Sequence, residues 1–447
     1  MQKNLTGGSV FKNLIYFSLP YLLSYFLQTL YGMADLFIIG KFGSVADVTA
    51  VAVGSQVMHM LTVMIVGLAM GTTVTISRFV GAENKRGVSQ SIGNSAVVFI
   101  AASAVLTAVL LALLGKIVSA MSTPAEAVGG TSAYLKICFI GIPFITAYNV
   151  ISSVFRGMGD SKSPMYFIAA ACAANIVLDF IFMGALKMGP AGAALGTTLS
   201  QTISVIISLV VIIKRDMGID LKKTDFKPSR AIMSQLLKIG VPISLQDGFI
   251  QISFIVITVI ANRRGLTDSA AVGIVEKLIS IFFLVPSSML SAVSALAAQN
   301  IGAGKLDRAR KTLWYAMSVT VSFGFVIALI SQFFANGLVG IFEDDPSVII
   351  SGAQYLKSYV WDCIFAGVHF CFSGYFCAME RSGISFLHNF LSIVAARIPL
   401  SYLASVKFPN TLYPMGFAAP VGSVLSVVIC LCAYFMIKRA ENRRIIL

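Results

Sequence analysis

Residues 93–117 read GNSAVVFIAASAVLTAVLLALLGKI, with no charged side chain between 96 and 114. A bilayer's hydrocarbon core takes ~20 apolar residues to cross as a helix, so this stretch reads as a span. The pattern recurs in both directions. By the same rule about twelve spans are expected, roughly over 14–39, 52–77, 93–117, 130–155, 164–186, 191–213, 234–261, 268–297, 312–338, 350–379, 384–406 and 413–437. They lack the dyad alternation of transmembrane β-barrels. With 57% hydrophobic and 12% charged residues, a soluble multidomain enzyme and a disordered chain are both excluded. The expected fold is an all-α membrane protein with twelve transmembrane helices.

The chain also copies itself. Phe79-Val80-Gly81-Ala82 closes the second span, and Asn300-Ile301-Gly302-Ala303 closes the eighth, 221 positions on (79 to 300). At that same offset Phe155-Arg156-Gly157-Met158 aligns with Phe376-Cys377-Ala378-Met379. Ser18-Leu19-Pro20 opens the first span and Gly240-Val241-Pro242 the seventh, and Gly196-Thr197-Thr198-Leu199-Ser200 resembles Gly422-Ser423-Val424-Leu425-Ser426. Six spans per copy is an even number, so both halves enter the membrane from one side. Parallel repeats related by a pseudo-two-fold axis along the membrane normal are therefore expected, with alternating access by rocking. The predicted organisation is an N-terminal lobe over 1–213, a cytoplasmic linker over 214–233 that is flexible at Gly218, a C-terminal lobe over 234–438 and a tail over 439–447.

Of 33 Lys and Arg residues, roughly 23 fall on one face and 6 on the other, which by the positive-inside rule puts both termini in the cytoplasm. That scatter along membrane edges argues against nucleic-acid binding. The N-terminus lacks a cleavable signal, because no small-residue cleavage site closes the first apolar run. The seven cysteines lie in apolar spans without metal-type spacing and read as free thiols. No Walker motif appears, so ATP is not expected as the energy source.

Five carboxylates stand inside apolar stretches: Asp35, Asp179, Asp247, Glu276 and Asp362. Each costs at least ~2.5–3.5 kcal/mol in hydrocarbon, so an ion or substrate pathway is their default reading. Asn175 and Asp179 are four residues apart and share one helix face. Two carboxylates close together in low dielectric repel, so at least one is expected to hold a proton or face a cation. An amide at Asn175 and a hydroxyl at Thr197 suit either state, and an all-oxygen set also suits a hard alkali cation. H⁺ and Na⁺ both remain open. Arg397, about 13 residues into its span, must find a partner, with Asp362 and Glu276 as the candidates and an anion contact as the alternative.

Several segments resemble the multidrug and toxic compound extrusion (MATE) family. They are Pro20 with Gln28-Thr29-Leu30-Tyr31, Asp35 and Gly40; Phe155-Arg156-Gly157-Met158-Gly159-Asp160-Ser161-Lys162-Ser163-Pro164; Asn175-Ile176-Val177-Leu178-Asp179; Ala191 through Gln201; and Ala298 through Gly304. The resemblance implies a two-lobe, twelve-helix fold exporting bulky, mostly cationic organic molecules against inward H⁺ or Na⁺. It also implies a cation site at Asp35, Asn175, Asp179 and Thr197, with Na⁺ an option at the two acids and no dedicated metal or cofactor. Another branch of the family carries acids in the C-terminal lobe instead. Here Asp247 and Asp362 stand about a turn before the matching places, Ile250 and Ala366.

The substrate cavity is expected to draw on Gln28, Tyr31, Met33, Asp247, Gln251, Asp362 and His369. Met33, Met58, Met60, Met64 and Met70 with Phe26 and Tyr31 offer a soft wall for varied ligands, although plain apolar packing explains each singly. Asp247 and Gln251 share a face at i,i+4, whereas Asp362, Ala366 and His369 form one stripe. Glu276 is read as a structural ion-pair partner. Pro20 removes a backbone hydrogen bond and is the candidate hinge, unless it sits near the helix start, where proline is harmless. Taken together, the residues read as a monomeric, ion-coupled antiporter of the cytoplasmic (inner) membrane. The alternative is a lipid or lipid-linked oligosaccharide flippase, which should present several deep cations.

Overall fold

The computed structural model describes residues 5–214 and 221–446, the side chains of 442–446 excepted. Gly218 and the rest of 215–220 in the predicted linker lie outside the described residues, as do 1–4 and 447. The described chain is helical almost throughout. The N-terminal half holds α1 (Val10–Phe42), α2 (Val45–Gly81), α3 (Lys85–Ala120), α4 (Ala125–Gly157), α5 (Lys162–Asp179) and α6 (Gly189–Lys214). After a 3₁₀ turn at Lys223–Phe226 come α7 (Arg230–Asn262), α8 (Leu266–Phe282), α9 (Leu284–Gly302), α10 (Leu306–Gly340), α11 (Pro346–Tyr359) and α12 (Asp362–Ala378). The last elements are α13 (Ser382–Ser392), α14 (Ile398–Lys407), α15 (Tyr413–Gly416) and α16 (Ala418–Ile446).

Eleven helical stretches are long and apolar enough to cross a bilayer, and α11 with α12 supplies a twelfth as a pair bent by 44°. The chain is a multi-pass membrane protein. It divides into two compact units, one built mainly from Ile15–Ser244 and the other from Leu245–Ile301 with the chain beyond Lys305.

The breaks inside spans were not visible in the sequence. The predicted span 164–186 ends in a π-helical turn over Phe180–Ala185, and the span 384–406 is interrupted by another over Ile393–Arg397. The span 350–379 breaks at Val360–Trp361, where i→i+3 bonds from Cys363 and Ile364 tighten the chain. Apolar composition fixes that a segment is buried in lipid, not whether its helix stays regular.

Helix ends explain the copied motifs. Glu83 (φ 56°) and Gly304 (φ 72°) stop α2 and α9 in the left-handed region, and Gly159 (φ 88°) and Glu380 (φ 58°) do the same after α4 and α12. The bond from Asn84 N to Phe79 O recurs as Lys305 N to Asn300 O, and that from Asp160 N to Phe155 O as Arg381 N to Phe376 O. All four pairs keep the 221-residue offset. The repeat is therefore built into the backbone.

In the first unit α2 and α4 pack through small residues and hydroxyls. Thr73 and Ser77 donate to the carbonyls of Ser153 (3.3 Å) and Gly157 (3.1 Å), and a Cβ on Gly157 would overlap Ile76. Lipid gives apolar surfaces no reason to associate, so such close approach and interhelical bonding hold spans together. The described part of the predicted linker is tied down. Asn94 on α3 accepts from Ser229 N (2.7 Å) and donates to the carbonyl of buried Asp225 (3.3 Å). Gly93 leaves the room, since a side chain there would strike the backbone of Asp225.

Candidate cation site

Three helices bring the predicted acids together inside the first unit. Asp35 lies on α1, Asn175 and Asp179 on the last turn of α5, and Thr197 on α6; all four are buried. Thr197 Oγ1 donates to Asp35 Oδ2 at 3.2 Å. Asp35 faces Asp179 and Asn175 as well, but hydrogen-bond geometry is not reached. Asp35 Oδ1, both Asp179 oxygens and both Asn175 amide atoms are left without a hydrogen-bond partner. Orphaned buried polar atoms are rare in folded proteins and call for an explanation. All five belong to side chains that face one another, and four of them are oxygens.

The surroundings are built to permit this. Gly196 on α6 has no side chain, and a Cβ there would overlap Asp179 Oδ1 and lie 3.6 Å from Asn175 Nδ2. Asp179 is the last α-helical residue before the π turn at Phe180–Ala185, a local widening that recurs at functional sites. Tyr31 and buried Tyr134 stand beside Asp35. Gly196 entered the sequence reading only within the repeat and family matches and Tyr134 not at all; neither was assigned to the site.

Pro20 lies ten residues beyond Val10, in the interior of α1. The reading of a proline at the helix start is thereby removed. At this depth it denies the helix the bond to the Tyr16 carbonyl. Arg156, counted on sequence among the loop bases, is instead buried, with its guanidinium 4.2 Å from the Tyr21 ring centroid. Of the remaining N-terminal cavity candidates, Gln28 and Tyr31 are half-buried and Met33 is exposed on α1. Met58 and Met70 are buried, and Met58 belongs to the apolar core of this unit.

The second unit gathers a different set. Asp362 opens α12, so its carboxylate meets the favourable end of a helix dipole. Asp362, Ala366 and His369 line an enclosed cavity of about 40 Å³ with Arg397, Ser423 and Ile250. Arg397 donates to the Tyr359 hydroxyl and stacks on Phe254, 4.7 Å from the ring centroid. Its charge faces Asp362 and Glu276. Neither acid comes within salt-bridge distance, so the ion pair expected for Glu276 is not formed as a direct contact. Glu276 accepts from Thr258 at 3.3 Å instead. His369 is not the isolated histidine it seems in the sequence: His388 packs against it with centroids 5.5 Å apart, and Ser423 bonds its Nε2 at 3.3 Å. Asp247 and Gln251 are half-buried and make no hydrogen bond to each other. Asp247 lies towards Cys377 and does not line the Asp362 cavity. Among the described residues no cluster of His, Cys, Asp and Glu forms a dedicated metal site.

The chain matches the MatE family twice, over residues 20–181 and 242–403, the second match starting 222 positions after the first (20 to 242). It belongs to that family. It is 30% identical to the probable multidrug resistance protein YpnP of Bacillus subtilis (strain 168), over 98% of this chain and 96% of that protein. It is 24% identical to the multidrug export protein MepA of Staphylococcus haemolyticus, over 82% of this chain and 81% of that one. A MATE crystal structure in the bent conformation superposes with a TM-score of 0.91 at 21% identity, covering 98% of both chains. Another in the straight conformation gives 0.90 at 22% identity, again covering 98% of both. The two-repeat, twelve-span fold is that of MATE transporters. A transport protein of this family is not an enzyme, and its members need no cofactor.

Proposed function

We propose that this chain exports bulky, mostly cationic organic compounds across the cytoplasmic (inner) membrane in exchange for H⁺ or Na⁺. The cluster of Asp35, Asn175, Asp179 and Thr197 is the exchange site for the coupling ion. The carrying observation is the set of five orphaned polar atoms on Asp35 of α1 and on Asn175 and Asp179 of α5, side chains that face one another beside Thr197 and Gly196 of α6. Bare carboxylates cannot share a low-dielectric pocket without something positive between them, and the oxygens suit a proton or a hard monovalent cation alike. Relatives named for multidrug resistance and export support the cargo class. Solved MATE structures in bent and straight conformations support alternation between states as the mode of transport. In this reading the chain acts as a monomer in the lipid bilayer without ATP or nucleic acid. Residues 1–213 and 234–438 form its two lobes, 214–233 the linker, and both termini stay in the cytoplasm.

The test is uptake of a fluorescent organic cation into inverted membrane vesicles under an imposed ΔpH or Na⁺ gradient. Asp35→Asn and Asp179→Asn are each expected to abolish gradient-driven uptake while leaving membrane insertion intact. Undiminished uptake in both variants would reject the site. Movement of a polyprenyl-linked sugar in place of the cation would favour a flippase.

A further inference from the structure

The two repeats use one framework with opposite charge. Gly196-Thr197 in the first resembles Gly422-Ser423 in the second, 226 positions on (196 to 422), and each glycine packs against the span that precedes it. A Cβ on Gly196 would meet Asp179, and a Cβ on Gly422 would meet Ser392 Oγ at 2.8 Å and Arg397 Cβ at 3.5 Å. Both contacts come from the span carrying a π turn: Asp179 stands at the start of one such turn and Arg397 at the end of the other. Tyr134 and Tyr355, both buried, are 221 positions apart. The first stands beside Asp35, and the second beside Glu276, Arg397 and Asp362. Thr197 bonds an acid in one repeat; Ser423 bonds His369 and faces Asp362 in the other.

We infer that Arg397 is a built-in cation: in the second repeat its guanidinium does what an exchangeable cation does in the first, offsetting permanently one of the two negative charges of Asp362 and Glu276, as one monovalent cation would between Asp35 and Asp179. The inference rests on the cation site proposed for the first repeat. A guanidinium stays charged at any physiological pH and is tethered by its own helix, by Tyr359 and by the Phe254 ring. It cannot leave, so the second repeat offers no ion to exchange. One coupling site per chain follows. The orphaned Arg397 Nε, Asp362 Oδ1 and Glu276 Oε1 fit a guanidinium held near both acids and paired tightly with neither.

Two measurements on the purified full chain in detergent test this. The first is thermal melting of Arg397→Ala with millimolar guanidinium chloride, and with urea as an uncharged control of the same shape. The variant is expected to melt at least about 5 °C below wild type. Guanidinium should recover most of that shift, and urea none. The triple variant Arg397→Met, Asp362→Asn, Glu276→Gln, which removes the acids with the base, is expected to melt close to wild type. No guanidinium recovery, with a triple variant as unstable as Arg397→Ala, would overturn the inference. This arm does not involve the first repeat. The second measurement counts H⁺ or Na⁺ equivalents bound. Wild type and Asp362→Asn should bind one, and Asp179→Asn none. Loss of an equivalent in Asp362→Asn would show a second exchange site and overturn the inference. An equivalent retained in Asp179→Asn would instead refute the first-repeat site, and with it the equivalence drawn here, even where guanidinium recovery holds.

Discussion

Asp179 needs the space that a side chain at residue 196 would fill, and this sets the tolerance of the site. Gly196→Ala is expected to insert and fold, yet to displace the Asp179 carboxyl and lower export at least about tenfold, equivalent to ~1.4 kcal/mol on the limiting step. Drug-resistance titres of cells carrying equal amounts of each variant check this, and an unchanged titre would contradict the packing described. At this scale the sequence was legible in part. Asn175 and Asp179 announced themselves by their i,i+4 spacing in an apolar helix. Asp35 lies 140 and 144 residues before them (35 to 175 and 35 to 179) and Thr197 stands on the next helix, and only the family resemblance joined them to the set. Gly196 and Tyr134 were invisible because their roles are a matter of distance in space. His388, which packs against His369, was not legible for the same reason: it belongs to another helix.

Helices carry the next level. The spans could be read from hydropathy because lipid demands about 20 apolar residues whatever the neighbours are. Their irregularities could not be read. The π turns after Asp179 and before Ile398, and the bend between α11 and α12, leave composition unchanged and arise from packing between spans. Pro20 was visible, but its depth in α1 was not, since the helix begins at Val10, before the predicted start at 14. Its place in the interior of the helix that carries Asp35 supports the proposal that it turns cation occupancy into a change of helix shape. Pro20→Ala should restore the missing backbone bond, stabilise α1 as a straight helix, and reduce transport about tenfold without weakening cation binding. Transport kinetics set beside bound-ion counts separate these effects, and normal export in this variant would remove the hinge.

The whole molecule is two copies of one design, and the copies have diverged in charge more than in backbone. The duplication was legible because helix-stop motifs recur at a fixed offset, and the paired left-handed residues and repeated turn bonds give that offset a physical cause. The difference between the copies was not legible, because the 221-residue offset does not align Arg397 with Asp179, and that each lies beside the glycine of its own repeat is known only from the Gly196 and Gly422 contacts. A single exchangeable charge moving inward gains ~2.3 kcal/mol per 100 mV, beside its concentration gradient. The account therefore requires that cargo and coupling ion exclude one another through the front acids. The direct measurement is ion release from the purified protein when a cationic substrate such as ethidium is added, followed by a pH dye in weak buffer and by a Na⁺ electrode. Wild type should release one ion species on substrate addition, and a protein carrying both Asp35→Asn and Asp179→Asn should release none. Equal release from both proteins would contradict the account.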